Sequence, residues 1–405
     1  VEEFMKEVLF RELLNPNESK LLLIVLDGVG GLPDKSGMTE LETAFKPNLD
    51  KLAKENETGD MIPVDIGITP GSGPGHLGVF GYEPSDYPIG RGILEALGLN
   101  INVDKETVTV RCNFATMDVN HVIIDRRAGR ISSEENQRLV EKLKERIKNA
   151  DGKKIEFYAG KEHRFVLVIR GVKGNADVND TDPQEIGKKP IEAKPNNESS
   201  KECAEIINKV YAMIVEALKD EPKANTALFR GISKMPDIPT MEEKYMLNPC
   251  CIATYPMYKG LATLVGMKIL KTGETIEDQI ETLKDNYEKY DFFFFHVKKT
   301  DSYGEDGDFA KKVKVIENFD SLLPKILDLK FDVIAITADH STPSVMMSHS
   351  HHPVPLLLIG KHSRKSDAEK FTERECLKGA IKRIYSKQLM PLMLASSGRL
   401  KKFGA

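Results

Sequence analysis

Four apolar runs punctuate a chain that is otherwise mixed in polarity. LLLIVL (Leu21–Leu26), FFFFHV (Phe292–Val297) and DVIAITA (Asp332–Ala338) are continuous rather than alternating, as expected of strands covered on both faces in a parallel sheet. PLLLIG (Pro355–Gly360) is a fourth strand candidate. Between them the period becomes helical. TIEDQIETLKDNYEKY puts Ile276, Ile280, Leu283 and Tyr287 on one face, and FAKKVKVIENFDSLLPKILDL leads into DVIAITA. Helix alternating with strand predicts an α/β core, a mainly parallel sheet flanked by helices. From Lys105 to Cys251 the pattern changes to short alternating segments such as TVTVRCNFA and HRFVLVIRG. A helix is predicted to start at Ser132, where Ser132 and Glu135 fit a capping box and Leu139, Leu143 and Ile147 recur at i+4. The stretch GNADVNDTDPQEIGKKPIEAKPNNESS reads as exposed loop. This middle region is expected to be a smaller α+β insertion, residues 105–251, in a core formed by 1–104 and 252–405.

Composition narrows the class. The 405 residues suggest two or three domains, and 40% hydrophobic with 30% charged residues is ordinary for a globular chain. A net charge of −4 offers no basic field for nucleic acid, so any anion must be held by local clusters. The five cysteines are odd in number and lack paired zinc-site spacing, which fits inert thiols in a reducing compartment. The acidic opening segment VEEFMKEVLFRELLNPNESK has no long apolar core, and no run is long enough to span a bilayer. A soluble cytoplasmic protein is expected, a monomer or at most a weak homo-oligomer, with a small molecule rather than nucleic acid or membrane as its partner.

Candidate chemistry sits after the strands. Asp27 follows the first run and is succeeded by Gly28, Val29 and Gly30, a composition that turns also favour. ADHSTPSVMMSHSHHPVP holds Asp339, His340, His349, His351 and His352; four of the chain's nine histidines fall within thirteen positions, which favours metal ligation over four independent structural roles. Mixed carboxylate and imidazole donors suit manganese, zinc or cobalt better than calcium. HVKKTDSYGEDGDF places Asp301, Glu305, Asp306 and Asp308 in a loop after a strand, either a ligand source or a solvated acidic surface. In TPGSGPGHLGVFGYEP, Ser72 lies in a glycine- and proline-rich turn just ahead of a predicted helix, where backbone amides stabilise a phosphoryl group. Alone this is equally a structural turn, and a serine needs a base or metal to become nucleophilic. Arg111, Arg126, Arg127, Arg130, Arg164 and Arg230 in the middle region are candidate anion clamps. Open α/β sheets put their sites at the carboxyl ends of strands, so the scattered acids and histidines can converge.

Taken together and in this order, VLDGVGG, PGSGPGHLGVFGYEP, GRGILEALG, RCNFATMD, DRRAGRIS, NDTDP, ALFRGISKMP, MYKGLATLVGM, HVKKTDSYGEDGD and ADHSTP with HSHHPVP resemble the archaeal-type cofactor-independent phosphoglycerate mutases, a branch of the alkaline phosphatase superfamily. The resemblance runs from Leu21 to the closing KFGA. It implies an alkaline-phosphatase-like core with an inserted lid that excludes water from the cleft. It also implies interconversion of 3-phosphoglycerate and 2-phosphoglycerate in glycolysis and gluconeogenesis, through a phosphoserine on Ser72 and without bisphosphoglycerate. One divalent metal would be held by Asp27, Ser72, Asp339 and His340, the other by Asp301, Glu305 and His349. Arg126, Arg127, Arg164, Arg230 and Lys259 would bind substrate, and His163 and Asp125 would shuttle protons. Two departures stand out: Glu305 replaces the histidine usual in this family, favouring manganese over zinc with cobalt also possible, and Gly73 replaces an acidic residue many relatives carry. The alternative readings are a metal-dependent phosphatase or phosphodiesterase of the same superfamily and a non-enzymatic descendant. DRRAGRIS and ALFRGISKMP favour the mutase over the first, and the retained Ser72, Asp27, Asp339, His340 and His349 argue against the second.

Overall fold

A computed structural model describes residues 10–365 and 367–404; the first nine residues, part of the segment read as no secretory signal, lie outside them. Strands are numbered along the chain as β1 (Leu21–Leu26), β2 (Glu57–Ile62), β3 (Val108–Met117), β4 (Ile123–Asp125), β5 (Asn149–Ala150), β6 (Lys153–Ala159), β7 (Arg164–Arg170), β8 (Thr226–Ser233), β9 (Pro249–Ile252), β10 (Lys268–Ile269), β11 (Phe292–Val297), β12 (Val333–Thr337), β13 (Val354–Gly360) and β14 (Lys382–Tyr385). The chain divides into two compact units. One takes the chain up to Pro88 and again from Ile238, and the other is Ile89–Asp237.

The first unit is built on an eight-stranded sheet in the order β10-β9-β11-β1-β12-β13-β2-β14. Every residue of β1, β11 and β12 is buried, which is why these strands are continuous apolar runs rather than alternating ones. β1 pairs in parallel with β11, Leu21 opposite Phe292, and with β12, Leu21 opposite Val333. β9, β10 and β14 also join in parallel, whereas β13 runs antiparallel to both β12 and β2. The sheet is therefore mainly parallel with one reversed strand. The helix Ile276–Asn286 opens on a Thr275–Asp278 capping box and buries Ile280 and Leu283. The helix Phe309–Leu327 is capped by the Asp308 side chain. Among the described residues, no helix is long and apolar enough to cross a membrane.

The second unit has a six-stranded antiparallel sheet, β4-β3-β7-β6-β5 with β8 also on β3. Val108, Val110, Cys112 and Phe114 of β3 join a core with Leu139, Leu143, Ile207 and Ile214 from the helices Ser133–Arg146 and Lys201–Leu218. The intervening Arg111 and Asn113 face the other way, by the two-residue period of a strand. Ser132 caps its helix by accepting from the Glu135 amide, but the reciprocal half of the expected capping box is absent. The Glu135 carboxylate instead takes a two-point ion pair from Arg138 at 2.8 and 2.7 Å.

Both boundaries of this unit differ from the expected 105–251. The helix Arg91–Gly98 packs on it so tightly that a Cβ at Gly92 would lie 2.5 Å from the Thr109 carbonyl oxygen. At the other end, β9 is hydrogen-bonded to β11 in the large sheet and belongs with the first unit.

Candidate metal centre

Because β11, β1 and β12 are adjacent and parallel, their carboxyl ends lie side by side, and each delivers a donor. Asp27 is the first residue after β1, and Asp339 and His340 follow β12. The segment after β11 was expected to be a loop; it folds as a short helix, Lys299–Glu305, with Asp301 in its first turn. A carboxylate there complements the positive end of the helix, and the four-residue spacing puts Asp301 and Glu305 on one helix face. Ser72 is the first residue of the helix Ser72–Val79. Gly75 lets that helix sit against the end of β12, where an added Cβ would be 2.4 Å from the Asp339 carbonyl oxygen.

The donors form two overlapping groups, Asp27–Asp339–His340 and Asp301–His340–His349, in each of which the ligand atoms lie within 4.8 Å of one another. His340 Nε2 is 3.5 Å from Asp27 Oδ1, 3.1 Å from Asp339 Oδ2 and 3.5 Å from Ser72 Oγ. His349 Nε2 is 3.6 Å from Asp301 Oδ1, and the two imidazoles stack at 3.6 Å between centroids. Both carboxylate oxygens of Asp27 and Oδ2 of Asp339 are buried without a well-formed hydrogen bond, with Lys298 and His296 3.2 and 3.4 Å from Asp27 Oδ2 and His76 3.0 Å from Asp339 Oδ2. Buried anionic oxygens left this way are costly unless a cation meets them, so the donor set fits a divalent metal. The outer nitrogen of His349 agrees: Nδ1 is 2.8 Å from the Pro70 carbonyl oxygen, which can only accept, so Nδ1 donates there and Nε2 is the atom turned to Asp301. Glu305 lies at the margin, half exposed, with Oε1 3.8 Å from His349 Nε2. Burial and the neighbouring Asp301 raise its pKa.

Four residues not singled out in the sequence complete the centre. Lys298 Nζ lies 3.2 Å from Asp27 Oδ2, forms an ion pair with Asp301 and donates to Tyr258 Oη at 3.1 Å. Burial alone would depress its pKa, but Asp27 and Asp301 outweigh that and raise it. Burial likewise opposes charge on Asp27, yet His296, Lys298 and His340 together hold it well below the usual carboxylate range. The Tyr258 ring stacks on His296 at 3.9 Å and on His76 at 4.7 Å. His76 Nδ1 reaches the Ser72 carbonyl oxygen at 2.8 Å and Asp339 Oδ2 at 3.0 Å. His76 and Lys298 sit inside PGSGPGH and HVKKTD, so motif membership was the signal available for them. The same holds for His296, which opens HVKKTD, and for Tyr258, inside MYKGLATLVGM beside the predicted Lys259 on the helix Pro256–Leu264.

The predicted arginines, His163 and Asp125 belong to the second unit. On one face of its sheet, Arg111 stands opposite Arg230 across β3 and β8, and Asn113 opposite Arg164 across β3 and β7. Like charges paired across strands are unfavourable without a counter-ion. Glu95 supplies part of one, 3.1 Å from Arg111 Nε. Arg126 makes a bidentate pair with the buried Asp182 at 3.1 and 2.7 Å, while Arg127 is exposed in the following turn. Asn113 Oδ1 and His163 Nδ1 are buried without a hydrogen bond, and Arg111 Nε and Arg230 Nε have only ion-pair contacts, with Glu95 at 3.1 Å and with Asp180 and Asp182 at 3.8 Å, the mark of a surface shaped for a polar ligand. Burial, with Arg164 and Arg127 nearby, lowers the His163 pKa. Asp125 spends both carboxylate oxygens on the amides of Arg127 and Gly129, at 2.7 and 2.8 Å, and so shapes the turn that carries the arginines.

Comparison with known proteins follows the same lines. Residues 53–224 match the family described as 2,3-bisphosphoglycerate-independent phosphoglycerate mutase. A curated relative from Aquifex aeolicus, named "Probable 2,3-bisphosphoglycerate-independent phosphoglycerate mutase", is 55% identical over 97% of this chain and 99% of its own. A solved protein from Pyrococcus horikoshii superposes with a TM-score of 0.82 at 30% identity, covering 96% of this chain and 100% of its own. A cofactor-independent phosphoglycerate mutase from Thermoplasma acidophilum does so with a TM-score of 0.72 at 28% identity, covering 94% and 100%.

Proposed function

The chain belongs to the 2,3-bisphosphoglycerate-independent phosphoglycerate mutases, and from that premise we propose that it moves the phosphoryl group of 3-phosphoglycerate to give 2-phosphoglycerate through a phosphoserine on Ser72. The observation that carries this reading is the position of Ser72, at a helix N-terminus and 3.5 Å from His340 Nε2, beside buried carboxylates that lack well-formed hydrogen bonds. Asp27, Ser72, Asp339 and His340 would hold one divalent ion, and Asp301, His349 and Glu305 the other, with manganese favoured by the extra carboxylate and cobalt or zinc as alternatives. Such ions, when bound, activate the attacking oxygen and neutralise phosphoryl charge.

The chain's own groups supply the rest. Ser72 Oγ attacks phosphorus, the Oγ–P bond forming as the bond to the substrate's O3 breaks. The amides that open its helix stabilise the resulting phosphoserine. The departing O3 gains a proton, the glycerate turns, and its O2 attacks phosphorus in its turn, releasing Ser72. His163, its pKa lowered by burial and nearby arginines, is suited to carry a proton between the two hydroxyls. Arg126, Arg127, Arg164 and Arg230, with Lys259, are assigned to the carboxylate and phosphoryl charges of the substrate, the bidentate Asp182 fixing Arg126 in place. Asp125 contributes through the turn it holds.

The test is turnover of 3-phosphoglycerate by manganese-loaded protein without 2,3-bisphosphoglycerate, coupled to enolase, with Ser72→Ala in parallel. Metal-dependent product formation that falls below about a thousandth of wild type in Ser72→Ala is expected. Acid-quenched wild type should carry one phosphate on the peptide containing Ser72. Free phosphate without the isomer would replace the mutase reading with a phosphatase.

A further inference from the structure

Thr342 lies two residues beyond His340, is fully buried, and carries a hydroxyl that touches both donor groups. Its Oγ1 is 2.7 Å from Asp301 Oδ1 and 3.0 Å from His340 Nδ1. A hydroxyl has one proton to give. Asp301 is an ion-paired carboxylate and can only accept, so that proton goes to Oδ1. The Thr342 oxygen must then accept from His340, which fixes a proton on Nδ1 and makes Nε2 the ring nitrogen turned to Asp27, Asp339 and Ser72. One hydroxyl thus orients a carboxylate of one group and the imidazole common to both.

The backbone of Thr342 is held to match. Its amide donates to the carbonyl oxygens of Gly28 and Gly30, both at 3.1 Å. Its carbonyl accepts from the buried Lys312 at 2.8 Å, and the same ammonium reaches Gly28 and Gly30 at 2.9 and 3.3 Å. Gly28 has φ +61°, and a Cβ there would lie 2.4 Å from Thr342 Oγ1; a Cβ at Gly304 would lie 2.3 Å from the Thr342 carbonyl oxygen. The loops after β1 and β12 and the helix carrying Asp301 therefore close on one side chain that has no room to turn.

We infer that Thr342 is a positioning residue that couples the two metal sites, setting the affinity of both through a single hydroxyl. This rests on the two-metal reading above. The isosteric Thr342→Val keeps the packing, removes the donor from Asp301 and removes the acceptor from His340 Nδ1. Loss of such an outer partner typically costs about 10–100-fold in metal affinity. Because the hydroxyl serves both groups, both affinities should fall.

The experiment is calorimetric titration of metal-free protein with Mn²⁺ for wild type, Thr342→Val and Thr342→Ser, with thermal unfolding of each metal-free form. Expected are two ions bound by wild type, both weakened by about tenfold or more in the valine variant and restored by serine, while each metal-free form still unfolds cooperatively. Wild type binding fewer than two ions would overturn the two-metal reading itself. Two ions bound equally well by wild type and Thr342→Val, or only one affinity lowered, would overturn the coupling while leaving that reading intact. Should the valine variant fail to fold, the ring nitrogen that meets Thr342 decides: ¹⁵N spectra of histidine-labelled, metal-free wild type should show His340 protonated on Nδ1. An Nδ1 without a proton would refute the assignment.

Discussion

His163 has a side chain 10% exposed, an Nδ1 without a hydrogen bond, and a pKa lowered by burial and by Arg164 and Arg127. A base whose folded pKa lies below its unfolded value binds fewer protons in the native state. Stability should then fall as pH drops through the unfolded value of 6.5 and level off below the folded one. His163→Gln removes this contribution, so the gap in urea midpoint between wild type and variant should shift against wild type between pH 7.5 and pH 5.5; a gap constant over that range would refute the assignment. At this scale, the donor candidates legible in the sequence were Asp27 after LLLIVL, Asp301 after FFFFHV, Asp339 and His340 after DVIAITA, and His349 in the histidine cluster. Lys298, Tyr258, His76 and His296 were not legible as parts of the centre, because their roles come from contacts with residues far away in the chain. Lys298 meets Asp27 at 3.2 Å across 271 positions of sequence, and local patterning carries no trace of that contact.

Elements place those residues, and the helix Ser72–Val79 depends on one small position. Gly75→Ala would drive a methyl to 2.4 Å from the Asp339 carbonyl oxygen, a backbone atom that cannot rotate away. Helix propensity alone favours alanine by about 0.8–1 kcal/mol, whereas forcing a methyl into a closed contact costs about 1–3 kcal/mol. The contact should win. Gly75→Ala is expected to lower the urea midpoint and to reduce the manganese retained after gel filtration, since Asp339 moves with its backbone; gain or no change in both would show that the seat is looser than its geometry. The strands and long helices were readable because burial on both faces and a helical repeat are each written in consecutive residues. Strand direction was not. PLLLIG reads like its parallel neighbours, yet β13 is antiparallel to β12, since direction is set by the connection and not by the run. The helix Lys299–Glu305 escaped notice because seven residues, one of them glycine, are too few to display a period.

The two units differ in how the chain builds them, and this has a thermodynamic consequence. The second is one continuous segment, Ile89–Asp237, with its own core of β3, β6, β7 and β8 residues packed on two helices. At about 150 residues, such a segment buries enough surface to fold alone. The insertion itself was visible in the sequence as a change of pattern, but its edges were not. Arg91–Gly98 is apolar enough to pass for either unit, and PCCI reads as a strand without declaring its sheet. Every residue in both donor groups, Asp27, Asp301, Asp339, His340 and His349, lies outside that segment. A ligand that binds only the native form stabilises it by about 2.7 kcal/mol at a hundredfold excess over Kd, so manganese should act on the first unit. Scanning calorimetry of the whole protein is expected to show two transitions, with manganese raising one by about 5–10 °C. The isolated fragment 89–237 should unfold cooperatively at the temperature of the transition that manganese leaves in place. A fragment without a cooperative transition would mean that the insert does not fold by itself. If manganese moved both transitions equally, the metal centre would be drawing stability from residues beyond the donors identified in the first unit.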